Sequence, residues 1–191
     1  TGICYYRSTD AGDTWEKLDN IDLAAYVNDL SADDYAIDAR DKNVAIVVGG
    51  YASQTVLLKS TDSGDTWNYT VVTPTSNPLI PSIDAPAEET LDPVAVGGGE
   101  FTIVLDSKGT AHIAFDRLYC YKDVTDAAGG PYYLPNSAAI MYWNEGMAKA
   151  EVIGKTVRQD YDGDSTAFVN SDKVQVRSYG GLVGQPSMGI D

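Results

Sequence analysis

Ser8-Thr9-Asp10-Ala11-Gly12-Asp13-Thr14-Trp15 returns 52 residues later as Ser60-Thr61-Asp62-Ser63-Gly64-Asp65-Thr66-Trp67. Only Ala11 and Ser63 differ between the two copies. The flanks match as well: Tyr5-Tyr6-Arg7 precedes one copy and Leu57-Leu58-Lys59 the other, so each reads as two apolar residues, a base, and the box. A repeat at this interval points to a stack of similar supersecondary units. The box itself reads as a hairpin turn. Gly12 and Gly64 supply a backbone able to take positive φ. Asp10 and Asp62 can accept hydrogen bonds from turn amides further along, and the Ser and Thr hydroxyls can satisfy other loop groups. Trp15 and Trp67 are the expected apolar anchors, each with one N–H to place.

Outward from the boxes, short strands are expected. Ile3 to Arg7 leads into the first box, and Glu16-Lys17-Leu18 follows it. Ile21 to Leu30 is an apolar patch with two readings, a short helix or an outer strand. Tyr35 to Ala39 alternates, Val44 to Val48 is apolar throughout, and Thr55 to Lys59 and Asn68 to Val72 flank the second box. Runs of about five residues joined by turns are the pattern of an all-β chain. Residues 73–99 read as a Pro-rich acidic connection. Phe101 to Leu105, Thr110 to Phe115, Ala138 to Trp143 and Lys149 to Ile153 read as four more strands, with a long excursion over about 120–136. Trp143-Asn144-Glu145-Gly146-Met147 keeps the place of the box and little of its sequence.

The pattern S-x-D-x-G-x-T-W resembles the Asp-box of sialidases and BNR-repeat proteins. That resemblance implies a β-propeller whose boxes join the third and fourth strands of four-stranded blades, away from the ligand face. It implies an architecture rather than an activity, since such propellers include glycosidases, receptors and assembly factors. On this reading 1–18 is the end of a blade, 32–72 a whole blade, 100–155 a blade with a degenerate box, and 186–191 the start of another. The expected fold is therefore all-β, a partial propeller of about 2.5–3.5 blades, completed by further residues of a larger chain or by another subunit. The 100–155 stretch also resembles large secreted propellers of Bacteroidota, many of them exported by the type IX system.

Composition narrows the partners. The chain has 191 residues, with 28 Asp plus Glu against 13 Lys plus Arg, a formal charge of −15 and a pI near 4.2. A charge of this sign argues against nucleic acid and suits an exported, extracellular or cell-surface protein. No stretch approaches the ~20 apolar residues of a membrane span. Cys4 and Cys120 are the only cysteines, read as two buried small hydrophobes with a disulfide as the alternative.

Each candidate site has a plainer reading beside it. A sialidase needs three arginines on a carboxylate, a Tyr–Glu pair and an Asp acid/base; the chain offers Arg7, Arg40, Arg117, Arg158 and Arg177, and Arg7 and Lys59 read as solvated flanks. Asp84, Glu88, Glu89 and Asp92 are a carboxylate cluster for glycoside hydrolysis, or plain acidic surface. Asp160, Asp162 and Asp164 have the spacing of half a calcium loop, but Ser165 and Ser171 stand where Gly and Glu are usual; a polar turn is the alternative to Ca2+, and no other cofactor is expected. His112 is the lone histidine and reads as structural. Tyr119, Tyr121, Tyr132 and Tyr133 cluster about the excursion and are candidates for binding carbohydrate or a protein partner, or for stapling their own loop. The expectation is a non-catalytic binding or structural scaffold; the alternative is a sialidase-like or other glycoside hydrolase with catalytic residues elsewhere.

Overall fold

The structure is a computed structural model. It describes residues 3–27, 30, 32–49, 54–74, 94–121, 132–155 and 186–189; for 94–98, 118–121, 132–138 and 155 it describes the backbone alone. The described residues form ten strands and no helix: β1 Tyr5–Arg7, β2 Glu16–Leu18, β3 Tyr35–Arg40, β4 Asn43–Val48, β5 Thr55–Ser60, β6 Asn68–Thr73, β7 Val94–Leu105, β8 Ala111–Tyr121, β9 Tyr132–Asn144 and β10 Glu151–Lys155. There is accordingly no helix among them long and apolar enough to cross a membrane.

Every pairing is antiparallel between strands that follow one another in sequence. β1 and β2 make a two-stranded hairpin, β3-β4-β5-β6 a four-stranded middle sheet, and β7-β8-β9-β10 a four-stranded third sheet. The all-β expectation thus holds, as antiparallel four-stranded sheets, none of them closed on itself.

β4 explains the layering. In an extended chain alternate side chains point to opposite faces. Val44, Ile46 and Val48 therefore face one way and Ala45 and Val47 the other, and all five are buried. Strands apolar on both faces belong in the middle of a stack. On one face, Ala45, Val47, Leu57 and Val72 pack with Ile103, Leu105, Ile113, Phe115, Met141 and Trp143 of the third sheet. On the other, Val44, Ile46, Val48, Val56 and Leu58 pack with Leu23 and Val27, joined by Ile3, Tyr5, Trp67 and Tyr69. The described part of the patch, 21–27 and 30, is neither helix nor strand: the Leu23 carbonyl accepts from the N–H of both Tyr26 and Val27 at 2.9 Å, making a single turn.

The strands of the third sheet run further than expected. β7 begins at Val94, inside the stretch read as a connection, and is interrupted by a register shift between Gly97 and Phe101. β8 runs to Tyr121 and β9 starts at Tyr132. The excursion read over 120–136 is shorter than that, because its ends are laddered strand.

Candidate functional site

The two boxes adopt one conformation. Ser8 Oγ donates to Asp10 Oδ1 at 2.7 Å and accepts from Gly12 N at 2.8 Å; Ser60, Asp62 and Gly64 repeat this at 2.7 and 2.7 Å. Thr14 N donates to Asp10 Oδ1 and Thr66 N to Asp62 Oδ1, both at 2.9 Å. The Thr hydroxyls reach the second carboxylate oxygens, at 2.5 and 2.6 Å. Gly12 and Gly64 take φ of 99° and 92° as expected, and the preceding Ala11 and Ser63 share the left-handed region at 59° and 63°. These bonds, that of the Thr hydroxyl foremost, hold the carboxyls of Asp10 and Asp62 down at about 2. A carboxylate so saturated with donors is ionised at neutral pH and has no proton to give. The boxes are fasteners, not acids.

The tryptophans differ. Trp67 packs edge-on against Tyr5 with centroids 5.3 Å apart, and its indole N–H donates to Asn20 Oδ1 at 3.3 Å. Trp15 donates to its own turn at Gly12 O, 3.2 Å, and is 64% exposed. It is not the buried anchor its position suggested.

Arg7 and Lys59 are not solvated flanks. Arg7 Nη1 donates to Asp65 Oδ1 at 2.7 Å and to Ser63 O at 3.1 Å, both in the second box, while Nη2 reaches Glu16 at 3.0 Å. Lys59, at the equivalent place, bonds Glu145 Oε2 in the turn between β9 and β10 at 2.5 Å. Glu145 Oε2 also accepts from Ala111 N at 2.7 Å. Each base therefore reaches forward to the acid in the turn of the next sheet. The turns match in length: the pairs Arg7↔Glu16, Lys59↔Asn68 and Tyr142↔Glu151 each span nine residues. Asn20, which sequence reasoning passed over, adds bonds to the carbonyls of Gly64 at 2.7 Å and Asp65 at 2.9 Å. The repeated base before each box was the one visible signal; its partner depends on how the sheets stack.

β3 is tied to β7 in the same spirit. Leu105 N donates to Asp38 Oδ2 at 2.7 Å, and Arg40 Nη1 donates to Leu105 O at 3.3 Å. Arg7 and Arg40 are thus engaged between sheets, which leaves them ill placed to share a substrate carboxylate. Arg158, Arg177, the acidic cluster from Asp84 to Asp92, and the calcium candidates Asp160, Asp162 and Asp164 lie outside the described residues.

His112 sits in a polar network on β8. Asn144 Nδ2 donates to the Tyr142 hydroxyl at 3.0 Å, and that hydroxyl lies 2.7 Å from His112 Nδ1. The other ring nitrogen of His112, Nε2, faces Asp106 Oδ2 at 3.7 Å. Asp106 is itself held below the usual carboxylate range, first by the Thr110 amide. This is a tethering network near a turn, and neither surface depression described below includes it. Tyr119, Tyr121, Tyr132 and Tyr133 are strand residues: Tyr119 lies opposite Leu134, Cys120 opposite Tyr133 and Tyr121 opposite Tyr132. Cys4 is free and exposed rather than buried.

Two shallow depressions lie among the described residues. One, of about 220 Å³, is lined by Ile3, Cys4, Tyr5, Tyr35, Ile37 and Ile46. The other, of about 540 Å³, is bounded by Arg117, Val152, Ile153 and Gly154. Among the described residues no group of three or more His, Cys, Asp or Glu is placed to hold a metal ion. Comparison of the chain with family models, with curated proteins and with solved structures finds no match.

Proposed function

We propose that this chain is part of an Asp-box β-propeller of an exported or cell-surface protein, serving as a binding or structural scaffold whose described residues carry no catalytic machinery. The observation that carries this reading is the forward fastening of successive units, Arg7 to Asp65 and Lys59 to Glu145, each from the residue before one turn to the next turn. A device that repeats with the unit suits a radial stack of blades. Its partners are further blades or a protein that covers them. The scaffold is favoured over a glycosidase because the most acidic carboxylates are consumed by turn hydrogen bonds and Arg7 and Arg40 by contacts between sheets.

The reading is tested by electron microscopy of the native full-length protein viewed end-on, together with turnover of fluorogenic sialosides and xyloglucan fragments. Radial sheets around a central channel and no turnover are expected. Sheets stacked without curvature would remove the propeller; turnover lost on changing residues within this chain would remove the scaffold.

A further inference from the structure

The ladders of the third sheet all break near one transverse row. β7 and β8 pair at Phe101↔Phe115 and next at Gly97↔Arg117, so residues 98–100 of β7 stand against the single residue Asp116. β8 and β9 pair at Arg117↔Ala139 and next at Tyr119↔Leu134, so residues 135–138 of β9 stand against the single residue Leu118. β9 and β10 shift at Ile153, beside the same row. β8 passes through with no extra residue. It is the taut strand, and both neighbours carry slack. A bulge bends the strand that holds it. Slack on both sides of one taut strand makes that strand the pivot, at Arg117.

On one side of the row β7 is pinned. The Glu100 amide donates to Oδ1 of the buried Asp116 at 3.1 Å. Gly99, with φ of 92°, lies so close to Asp34 that a Cβ there would collide with its carboxylate. A Cβ on Gly49, just past β4, would likewise crowd the Phe101 ring. Further along, Leu105 N meets Asp38 of β3. The middle sheet therefore backs β7 from Leu105 as far as Gly99, and β3 starts at Tyr35. Residues 94–97 of β7 project past its end, beyond the joint. Motions of whole elements gather at such joints, where a few residues absorb the change.

We infer that the outer end of the third sheet, residues 94–97, 118–121 and 132–134, is an arm that swings as one piece about Arg117. The body against which it moves is 101–105, 111–116 and 139–144 of the same sheet. Pairs inside the arm, Val96↔Leu118 and Cys120↔Tyr133 among them, keep it a unit. The depression of about 540 Å³ bounded by Arg117, Val152, Ile153 and Gly154 lies at the pivot, so the angle of the arm sets its width. The arm also carries Tyr119, Tyr121, Tyr132 and Tyr133, so these binding candidates move with it. The inference rests on the ladders of one sheet and not on ring closure, so it can fail while the propeller stands, and the reverse.

The test is nuclear magnetic resonance on the isotope-labelled native chain in a weakly aligning medium. Amide dipolar couplings of the body should fit a single alignment. Those of the arm should be smaller than that fit requires by about 1.5-fold or more, while ps–ns order parameters stay about 0.85 in both, which places the motion on a slower scale. In the same sample, arm amides that face a partner strand should exchange at least about a hundredfold more slowly than in a free chain. That protection marks a unit that moves with its ladders intact. One alignment fitting arm and body together would overturn the assignment, because the bulges would then bend a rigid sheet and no more. Arm amides exchanging at the free-chain rate would overturn it too, because the end would be frayed and not hinged.

Discussion

Gly12 and Gly64 hold the same place in the same turn and differ only in what lies beside them. Both have left-handed φ, so an alanine at either costs about 1 kcal/mol in backbone strain. Gly12 has open space around the position of a Cβ, whereas a Cβ on Gly64 would crowd the Tyr5 ring. Gly12→Ala should therefore lower unfolding stability by about 1 kcal/mol, and Gly64→Ala by a further 1–3 kcal/mol or so from overpacking. Urea unfolding of the two variants checks this. Tyr5→Leu in the Gly64→Ala background should recover much of the excess, because Leu57 stands at the equivalent place in the next repeat. Equal losses at the two glycines would mean that the packing of Tyr5 on the second box has no energetic weight.

At the scale of elements, the fastening between sheets can be measured. Lys59 and Glu145 have side chains 20% and 31% exposed, more sheltered than a typical surface pair. A double-mutant cycle with Lys59→Met and Glu145→Gln should give a coupling on the order of 0.5–1 kcal/mol, falling in high salt. A coupling of zero at low salt would reduce the contact to geometry without consequence. Most strands were legible in the sequence because their apolar residues alternate or run unbroken between turn residues, as in Tyr35 to Ala39 and Val44 to Val48. The start of β7 was not, because Gly97-Gly98-Gly99 reads as a breaker and is in fact passed by a register shift in the ladder. The hydrogen bonds of the boxes were legible because their partners are four residues apart or fewer. The bonds of Arg7, Asn20 and Lys59 were not, since they join residues 58, 44 and 86 positions apart and follow only from how the sheets stack.

For the whole molecule, acid should act in two opposite ways. At neutral pH the charge of −15 repels itself and works against compactness. Titration toward the pI near 4.2 relieves that repulsion, so stability should rise modestly from pH 7 to about 5, and 1 M salt should abolish the rise. Below that the boxes decide. Asp10 and Asp62 sit at about 2 when folded, against about 3.9 in an unfolded chain. Their folded values are depressed, so their contribution is complete above the unfolded value and is lost as pH falls through about 4 to 2. Unfolding midpoints in urea, followed in dilute protein, should trace a shallow maximum with a steep acid limb. In an Asp10→Asn, Asp62→Asn variant the molecule should be weaker at neutral pH and its acid limb visibly shallower, because two of the groups that bind extra protons on unfolding are gone, Asp106 being left. An acid limb of unchanged slope would place acid sensitivity outside the boxes. The turns would then shape the chain without governing its response to pH.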